Sequence, residues 1–361
     1  MKKNRFLIIV VALILLLPAL DCVFHFSPVK ELFEKRLPVA RPDFSWSQEY
    51  TQNFEKFFND NYGFRKTLIS INSEIMDKIF DESPDARAVI GKDGWLYFDN
   101  NNSLLDASGK ALLSDELVER GVEAFYRNWQ EMRAKNIDYL LVIAADKSTI
   151  YPEFLPDYIK YKEPHRIDKF LNALKKKYPN FPLLDLRPLL KKAKEKETIY
   201  HKTDTHWNMR GAHPAYVEIA KRLHIKPHLR EDFFDRSDEK IHGDISKIMN
   251  SKVTNVDYNL APKFTRTTQV IINLPESVKS FHRAYLIDNK DKSLPIIFAY
   301  KDSYFADLSY LIAEHFSQNI LINESPCDIK YEIIKNFHPN VVIQEFWEGR
   351  IEVILNQCEI Q

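Results

Sequence analysis

Three side chains on two distant stretches have the types needed for acyl transfer through a serine. Residues 200–214 read YHKTDTHWNMRGAHP and set Asp204 and His206 two positions apart. Residues 298–308 read FAYKDSYFADL and carry Ser303. A serine hydroxyl is a poor nucleophile at neutral pH until a base within hydrogen-bond reach takes its proton. A neutral imidazole suits that work because its free pKa lies near physiological pH. A carboxylate on the other ring nitrogen fixes the tautomer and stabilises the imidazolium that forms. Side chains two apart share one face of an extended segment. Asp204 can therefore orient His206, and His206 can activate Ser303.

Other readings attach to the same residues. Asp-x-His is a short pattern that also occurs in surface turns and as half of a metal site, here with His213 as a third ligand. Asp204 or Thr205 could cap a helix running from about residue 208 to residue 222. Asp302 or Ser303 could likewise do no more than cap the helix that follows.

The surrounding pattern supplies elements to hold these groups. Residues 139–145 (YLLVIAA) form a short continuous apolar run, as a buried parallel strand requires. Residues 181–186, 295–300, 319–322 and 340–346 repeat the pattern with helical stretches between them. Alternating strand and helix predicts a doubly wound α/β sheet. Ser303 then falls just past the C-terminal end of one strand, where a helix N-terminus offers free N–H groups. Lys147 follows the end of another strand, where ligands of open α/β sheets gather. Lys147, Asn208 and Tyr304 are the candidate lining of the acceptor site. Residues 242–244 (HGD) either approach the site or form a turn. Ser114 is the expected N-cap of a helix whose inner face carries Val118, Val122, Phe125, Trp129 and Met132. Residues 230–240 read as a charged loop, and 270–274 and 284–288 as strands of an insertion or edge sheet.

The chain has 361 residues, with 51 basic and 51 acidic side chains and no net charge. No basic surface for nucleic acid is expected from that balance. Gly is scarce at 8 and no glycine-rich phosphate loop is present. The three cysteines, Cys22, Cys327 and Cys358, make no disulfide framework, although the last two could pair in an oxidising compartment. No Cys/His cluster has zinc-site spacing, so neither a metal nor a cofactor is expected. Residues 1–5 are basic and 6–20 almost wholly apolar, which reads as a signal peptide or, lacking a clean cleavage site, an uncleaved anchor. The positive flank would stay cytoplasmic and the remainder would be exported. The expected organisation is a signal anchor or signal peptide over 1–26, a stalk and amphipathic helices over 27–84, and a catalytic domain over 85–361. Phe54, Phe57 and Phe58, and then Leu68, Ile71, Ile75 and Ile79, mark the core faces of two helices in the middle section.

Several stretches together resemble one family: FNDNYGFR (58–65), VIGKDGWLYF (89–98), DKSTIYPEFLP (146–156), the segment around DTHWN, HGDIS and YKDSYFADLSYLIAEHF. The chain resembles the alginate O-acetyltransferase group, SGNH-hydrolase-like acetyltransferases of bacterial export systems. The resemblance implies an SGNH-like α/β/α sandwich with a mostly parallel sheet, in which Asp204, His206 and Ser303 match the acid, base and nucleophile. It implies a polysaccharide acceptor outside the cytoplasmic membrane and a membrane-bound O-acyltransferase partner that supplies acetyl. Ordinary SGNH enzymes have glycine two positions before the serine, and Lys301 stands there. The expected oxyanion donors are the Ser303 N–H and groups of the loop at 146–148. The same machinery with water as acceptor would be an acetylesterase, and a chain with a decayed site would be a polysaccharide-binding assembly protein.

Overall fold

The computed structural model describes residues 37–64, 85–236, 240–249, 253–256, 258–271 and 284–359, with 16–18, 20–21, 67–68, 71–72, 75–76, 83 and 251. Two compact units divide the chain: 1–88 with 246–253, and 89–245 with 254–361. Most of the expected anchor, and much of the helix expected over 68–79, lie outside the described residues. No helix among the described residues is long and apolar enough to cross a membrane.

In the first unit, Ser47 caps helix α1 (Gln48–Asn61) by accepting the Tyr50 N–H at 3.0 Å. The aromatic row expected to face a core does not. Phe54 and Phe58 are exposed, and Asp60 is the buried residue of the helix. Its carboxylate accepts the Val39 N–H at 3.0 Å, and the rings pack on one another, Tyr50 stacked on Phe54 with centroids 5.8 Å apart.

The second unit is built on a seven-stranded sheet: β1 (Asp138–Ala144), β2 (Leu183–Asp185), β3 (Thr268–Ile271), β4 (Tyr285–Asn289), β5 (Ile296–Tyr300), β6 (Gln318–Ile322) and β7 (Val341–Trp347). Their order is β2-β1-β7-β5-β6-β4-β3. The first five in that order run parallel, and β4 and β3 close one edge antiparallel. The two strands read as an insertion or edge sheet form one edge of the main sheet; residues 272–274 lie outside the described residues.

The apolar runs are continuous because both faces of the sheet are covered. Leu140, Val142, Ala144, Ile297, Ala299 and Ile343 share one core with helices α4 (Met209–Arg222) and α5 (Phe305–Ile312). The alternate residues Tyr139, Leu141, Ile143, Phe298, Val342 and Phe346 face the other core. There they meet α2 (Asp115–Ala134), α3 (Arg166–Lys177) and α6 (Ile351–Leu355). The result is an α/β/α sandwich. Ser114 caps α2 as expected, accepting the Leu117 N–H. Part of the segment expected to be a charged loop is ordered: Phe233–Arg236 pairs antiparallel with Asn259–Pro262, anchored by the buried Phe233. Cys327 and Cys358 are joined by a disulfide.

Candidate active site

Ser303 lies in the turn between β5 and α5, and its neighbours fix that turn from below. The Asp302 N–H donates to Glu345 Oε2 at 3.0 Å. The Asp302 carboxylate accepts the Tyr304 N–H at 2.9 Å and the Trp347 N–H at 2.7 Å. Trp347 ends β7, so the turn after β5 is tied to the end of an adjacent strand. The Trp347 indole in turn donates to Asp146 Oδ2 at 2.8 Å, and Asp146 follows β1. Three strand ends are cross-linked beneath one serine. Glu345 is fully buried, and burial, reinforced by the charge of Asp302, pushes its carboxyl well above the usual range.

The Asp204/His206 segment is a compact turn closed by a bridge between Tyr200 and Trp207, with the His201 N–H donating to the His206 carbonyl at 3.2 Å. His206 Nδ1 is 2.8 Å from Asp204 Oδ1, and His206 Nε2 is 2.8 Å from Ser303 Oγ. With Asp204 accepting from Nδ1–H, Nε2 is left as an acceptor for the serine hydroxyl. Burial opposes charge on His206, but the Asp204 hydrogen bond and charge, helped by Asp244 and Asp302, raise its pKa above the ordinary value. Burial works against the Asp204 carboxylate too, yet the hydrogen bond and charge of His206 hold it far below the usual range.

A second carboxylate joins this pair. Asp244 donates its backbone N–H to Asp204 Oδ2 at 2.8 Å, while its Oδ1 accepts the Thr205 N–H at 2.7 Å and hydroxyl at 3.1 Å. Its Oδ2 lies 3.8 Å from His206 Nδ1. Burial and the nearby Asp204 charge raise the Asp244 pKa. Gly243 makes the approach possible: a Cβ there would stand 2.1 Å from the Thr203 carbonyl oxygen. The HGD segment therefore approaches the site. The glycine beside an acid, within the HGDIS stretch, was the sequence sign of it.

Residues 88–273, more than half of the chain, match the family model described as "SGNH hydrolase-like domain, acetyltransferase AlgX". The chain belongs to this SGNH hydrolase-like acetyltransferase family. Ser303 lies beyond the matched stretch. The probable alginate O-acetylase AlgJ of Pseudomonas aeruginosa is 26% identical over 175 residues, covering 47% of this chain and 40% of that protein. The Azotobacter vinelandii protein of the same description is 24% identical over 184 residues, 48% and 42% of the two chains. The match spans less than half the length of these relatives. Among solved structures, Bacillus cereus PatB1, determined with a sulfonyl adduct, superposes with a TM-score of 0.53 at 17% identity, covering 76% of this chain and all of that one. A DHHW family protein from Eubacterium siraeum gives 0.50 at 17%, covering 76% and 99%. These two likenesses bear on the fold alone.

In this family member the cleft at Ser303 has a volume of about 420 Å³ and is lined in part by Thr205, His206, Asp244, Asp302, Tyr304 and Trp347. Of the three expected acceptor-site residues, Tyr304 lines it. Its ring packs 4.9 Å from the imidazole of His206, and its hydroxyl donates to the Thr205 carbonyl at 3.1 Å. The other two do not. Lys147 is buried, and its Nζ donates to the carbonyls of His201, Lys202 and Asp204 at 3.1, 3.2 and 2.6 Å. It braces the Asp204/His206 turn from within, and burial lowers its pKa to about 8. Asn208 is also buried. It is the N-cap of α4, a role that Asp204 or Thr205 could have taken instead: its Oδ1 accepts the Arg210 and Gly211 N–H groups and its Nδ2 donates to the Thr198 carbonyl. The short side chain of asparagine caps as well as that of aspartate, which leaves Asp204 for His206.

The loop at 146–148 does not line the cleft, and its amides turn inward: Asp146 N–H donates to Glu348 Oε1 and Ser148 N–H to Asp146 Oδ1, each at 2.6 Å. By contrast, the Ser303 N–H has no hydrogen bond among the described residues. Asp204, His206 and Asp244 could each offer one atom to a metal ion within 4.8 Å of the others. His213 is not part of that group. Its Nε2 pairs with the His228 carbonyl and its ring packs against Phe233.

Proposed function

We propose that this protein is an O-acetyltransferase that carries acetyl on Ser303 and delivers it to hydroxyls of an extracytoplasmic polysaccharide. The observation that carries the reading is the continuous line Asp204–His206–Ser303, with both contacts at 2.8 Å. His206 Nε2 takes the Ser303 proton as Oγ adds to the acetyl carbonyl. The tetrahedral intermediate collapses, the donor's leaving group departs with that proton, and acetyl-serine remains. A sugar hydroxyl then loses its proton to His206 and adds to the acyl carbon; collapse releases the sugar ester and returns the proton to Ser303. Asp204 holds the imidazole and stabilises its cation throughout. The unbonded Ser303 N–H serves as an oxyanion donor, a kind of group whose removal typically costs about 3–4 kcal/mol.

The family supports acetyl as the group transferred, and the similarity to probable alginate O-acetylases supports a polysaccharide acceptor. A membrane-bound O-acyltransferase is the proposed acetyl donor. An N-terminal anchor with the catalytic unit outside the cytoplasmic membrane fits the basic and apolar start of the chain. The Cys327–Cys358 disulfide also favours an oxidising compartment. Because Ser303 is exposed, water is the competing acceptor, and an acetylesterase is the second reading.

The test is mass spectrometry of the protein after incubation with p-nitrophenyl acetate. A single acetyl group on the peptide containing Ser303, absent from S303A, is expected. Labelling elsewhere, or undiminished turnover by S303A, rejects the assignment. The ratio of acetyl delivered to sugar over acetyl released to water then separates transferase from esterase.

A further inference from the structure

Ser303 and its base sit on turns 97 residues apart in sequence. Two contacts join those turns directly. One is the Ser303 Oγ–His206 Nε2 pair at 2.8 Å, and the other is the Tyr304 hydroxyl on the Thr205 carbonyl at 3.1 Å. The first is lost once Oγ carries an acyl group, because an ester oxygen has no proton to donate. His206 must still stand over the acyl carbon then, to take a proton from the second reactant. Any further tie between the two turns therefore matters most in the acyl-enzyme.

Lys147 supplies such a tie. It opens the short helix Lys147–Ile150 that follows β1, and it is only 3% exposed. An ammonium has three donors, and all three are spent on one turn, on the carbonyls of His201, Lys202 and Asp204. The closest of these, at 2.6 Å, belongs to the catalytic acid, and that carbonyl has no other hydrogen bond among the described residues. The buried charge is offset by Asp204, Asp244 and Asp146. The rings of Trp95 and Tyr97 add to this, with centroids 5.8 and 5.5 Å from Nζ. The other end of the tie is the neighbouring residue. Asp146 Oδ2 accepts the Trp347 indole N–H at 2.8 Å, and the Trp347 backbone N–H donates to Asp302 Oδ2 at 2.7 Å. One covalent and hydrogen-bonded path thus runs from Asp302, beside the nucleophile, through Trp347, Asp146 and Lys147 to the acid–base turn.

We propose that Lys147 is a positioning residue that keeps the acid–base turn in register with Ser303 while the acyl group occupies Oγ. Its kinetic consequence rests on the acetyl-transfer reading above. Lys147 does not line the cleft, so it acts on the reaction only through the turn it holds. In the resting protein three ties link the two turns: the Oγ–Nε2 contact, Tyr304 and Lys147. In the acyl-enzyme two remain. Loss of Lys147 then leaves Tyr304 alone, and the imidazole is free to move by the small distances that govern rate. A lysine that merely filled space would act differently, since its loss would slow both half-reactions by the same factor.

The experiment compares the full chain with its K147M variant, methionine having similar length and no donor. Acylation is read as p-nitrophenolate released in the first turnover of p-nitrophenyl acetate. Deacylation is read by mass spectrometry as the decay of acetyl-Ser303 after the reagent is removed. K147M is expected to slow deacylation about 10²-fold and acylation at most about ten-fold, so that acetyl-enzyme accumulates. Equal slowing of both steps, or deacylation within two-fold of wild type, overturns the assignment. If circular dichroism shows K147M unfolded, W347F takes its place, because it cuts the same path at Asp146. It should slow deacylation about five-fold more than acylation, and an equal effect on both steps counts against the path. If wild-type protein is not acylated at all, the acetyl-transfer reading fails by itself. Lys147 is then judged on the low-field proton resonance of His206 Nδ1–H. A resonance sharp in wild type and broadened in the variant supports the tie; one absent from wild type, or unchanged in the variant, overturns it.

Discussion

Two groups of polar residues at the cleft differ in how they are satisfied. Asp204, Thr205 and Asp244 close on one another, Asp204 taking the Asp244 N–H and Asp244 taking the Thr205 N–H. The side chains of Asn100, Asn101 and Arg350, which line the cleft, have no hydrogen-bond or ion-pair partner among the described residues. A closed network fixes geometry, and an open one leaves hydrogen-bonding capacity for something else. Substitutions in the closed group and in the open one should therefore fail differently.

Substitutions in and around the closed group should strike the chemical step, and the largest loss belongs to the nucleophile. Ser303→Ala should lower acetyl transfer on the order of 10⁶-fold, measured as initial rate, with folding unchanged by circular dichroism. Asp204→Asn should come next, on the order of 10³–10⁴-fold, because the amide favours the wrong imidazole tautomer. Gly243→Ala tests whether the closed group depends on backbone contact. The added methyl group would meet the Thr203 carbonyl, the turn must shift, and a displacement of about 1 Å can lower the rate about 10²-fold. A rate within two-fold of wild type would show that the approach is not needed.

The smallest effect is the most discriminating. His206 must be neutral to act as base, and Asp204, Asp244 and Asp302 raise its pKa. The acid limb of the kcat/KM profile should therefore lie above the ordinary histidine value of about 6.5. Asp244→Asn removes one negative charge but keeps an oxygen for Thr205. It should move that limb to lower pH and cost about three- to ten-fold in kcat. An unmoved limb would reduce Asp244 to a purely structural role and erase the electrostatic half of the contrast.

Much of the closed group could be read from the sequence, and little of the open one. Asp204 and His206 announced themselves by chemistry and spacing, and Ser303 by its place after an apolar run. The strands were legible because burial on both faces makes them continuous in Val, Ile and Leu. Asp244 stayed ambiguous because its partnership crosses about forty residues and rests on a backbone N–H, which no side-chain pattern reports. Lys147 and Asn208 were misplaced for one reason: a polar residue near a strand end or helix start looks the same whether it faces a ligand or satisfies main-chain groups. Phe54 and Phe58 keep helical spacing yet are exposed. Asn100 and Asn101 carry no motif.

The Asp244 N–H that binds Asp204 has one more consequence. The orientation of Asp204 is set in part by main chain from another loop, so the Asp-x-His tripeptide is not a portable cassette. Grafting residues 204–206 onto a different scaffold would transplant the imidazole and its contacts with Asp204 Oδ1 but lose the anchor on Asp204 Oδ2. A functional transplant must bring residues 242–244 along, and natural divergence of this site faces the same constraint: either loop can drift only in step with the other.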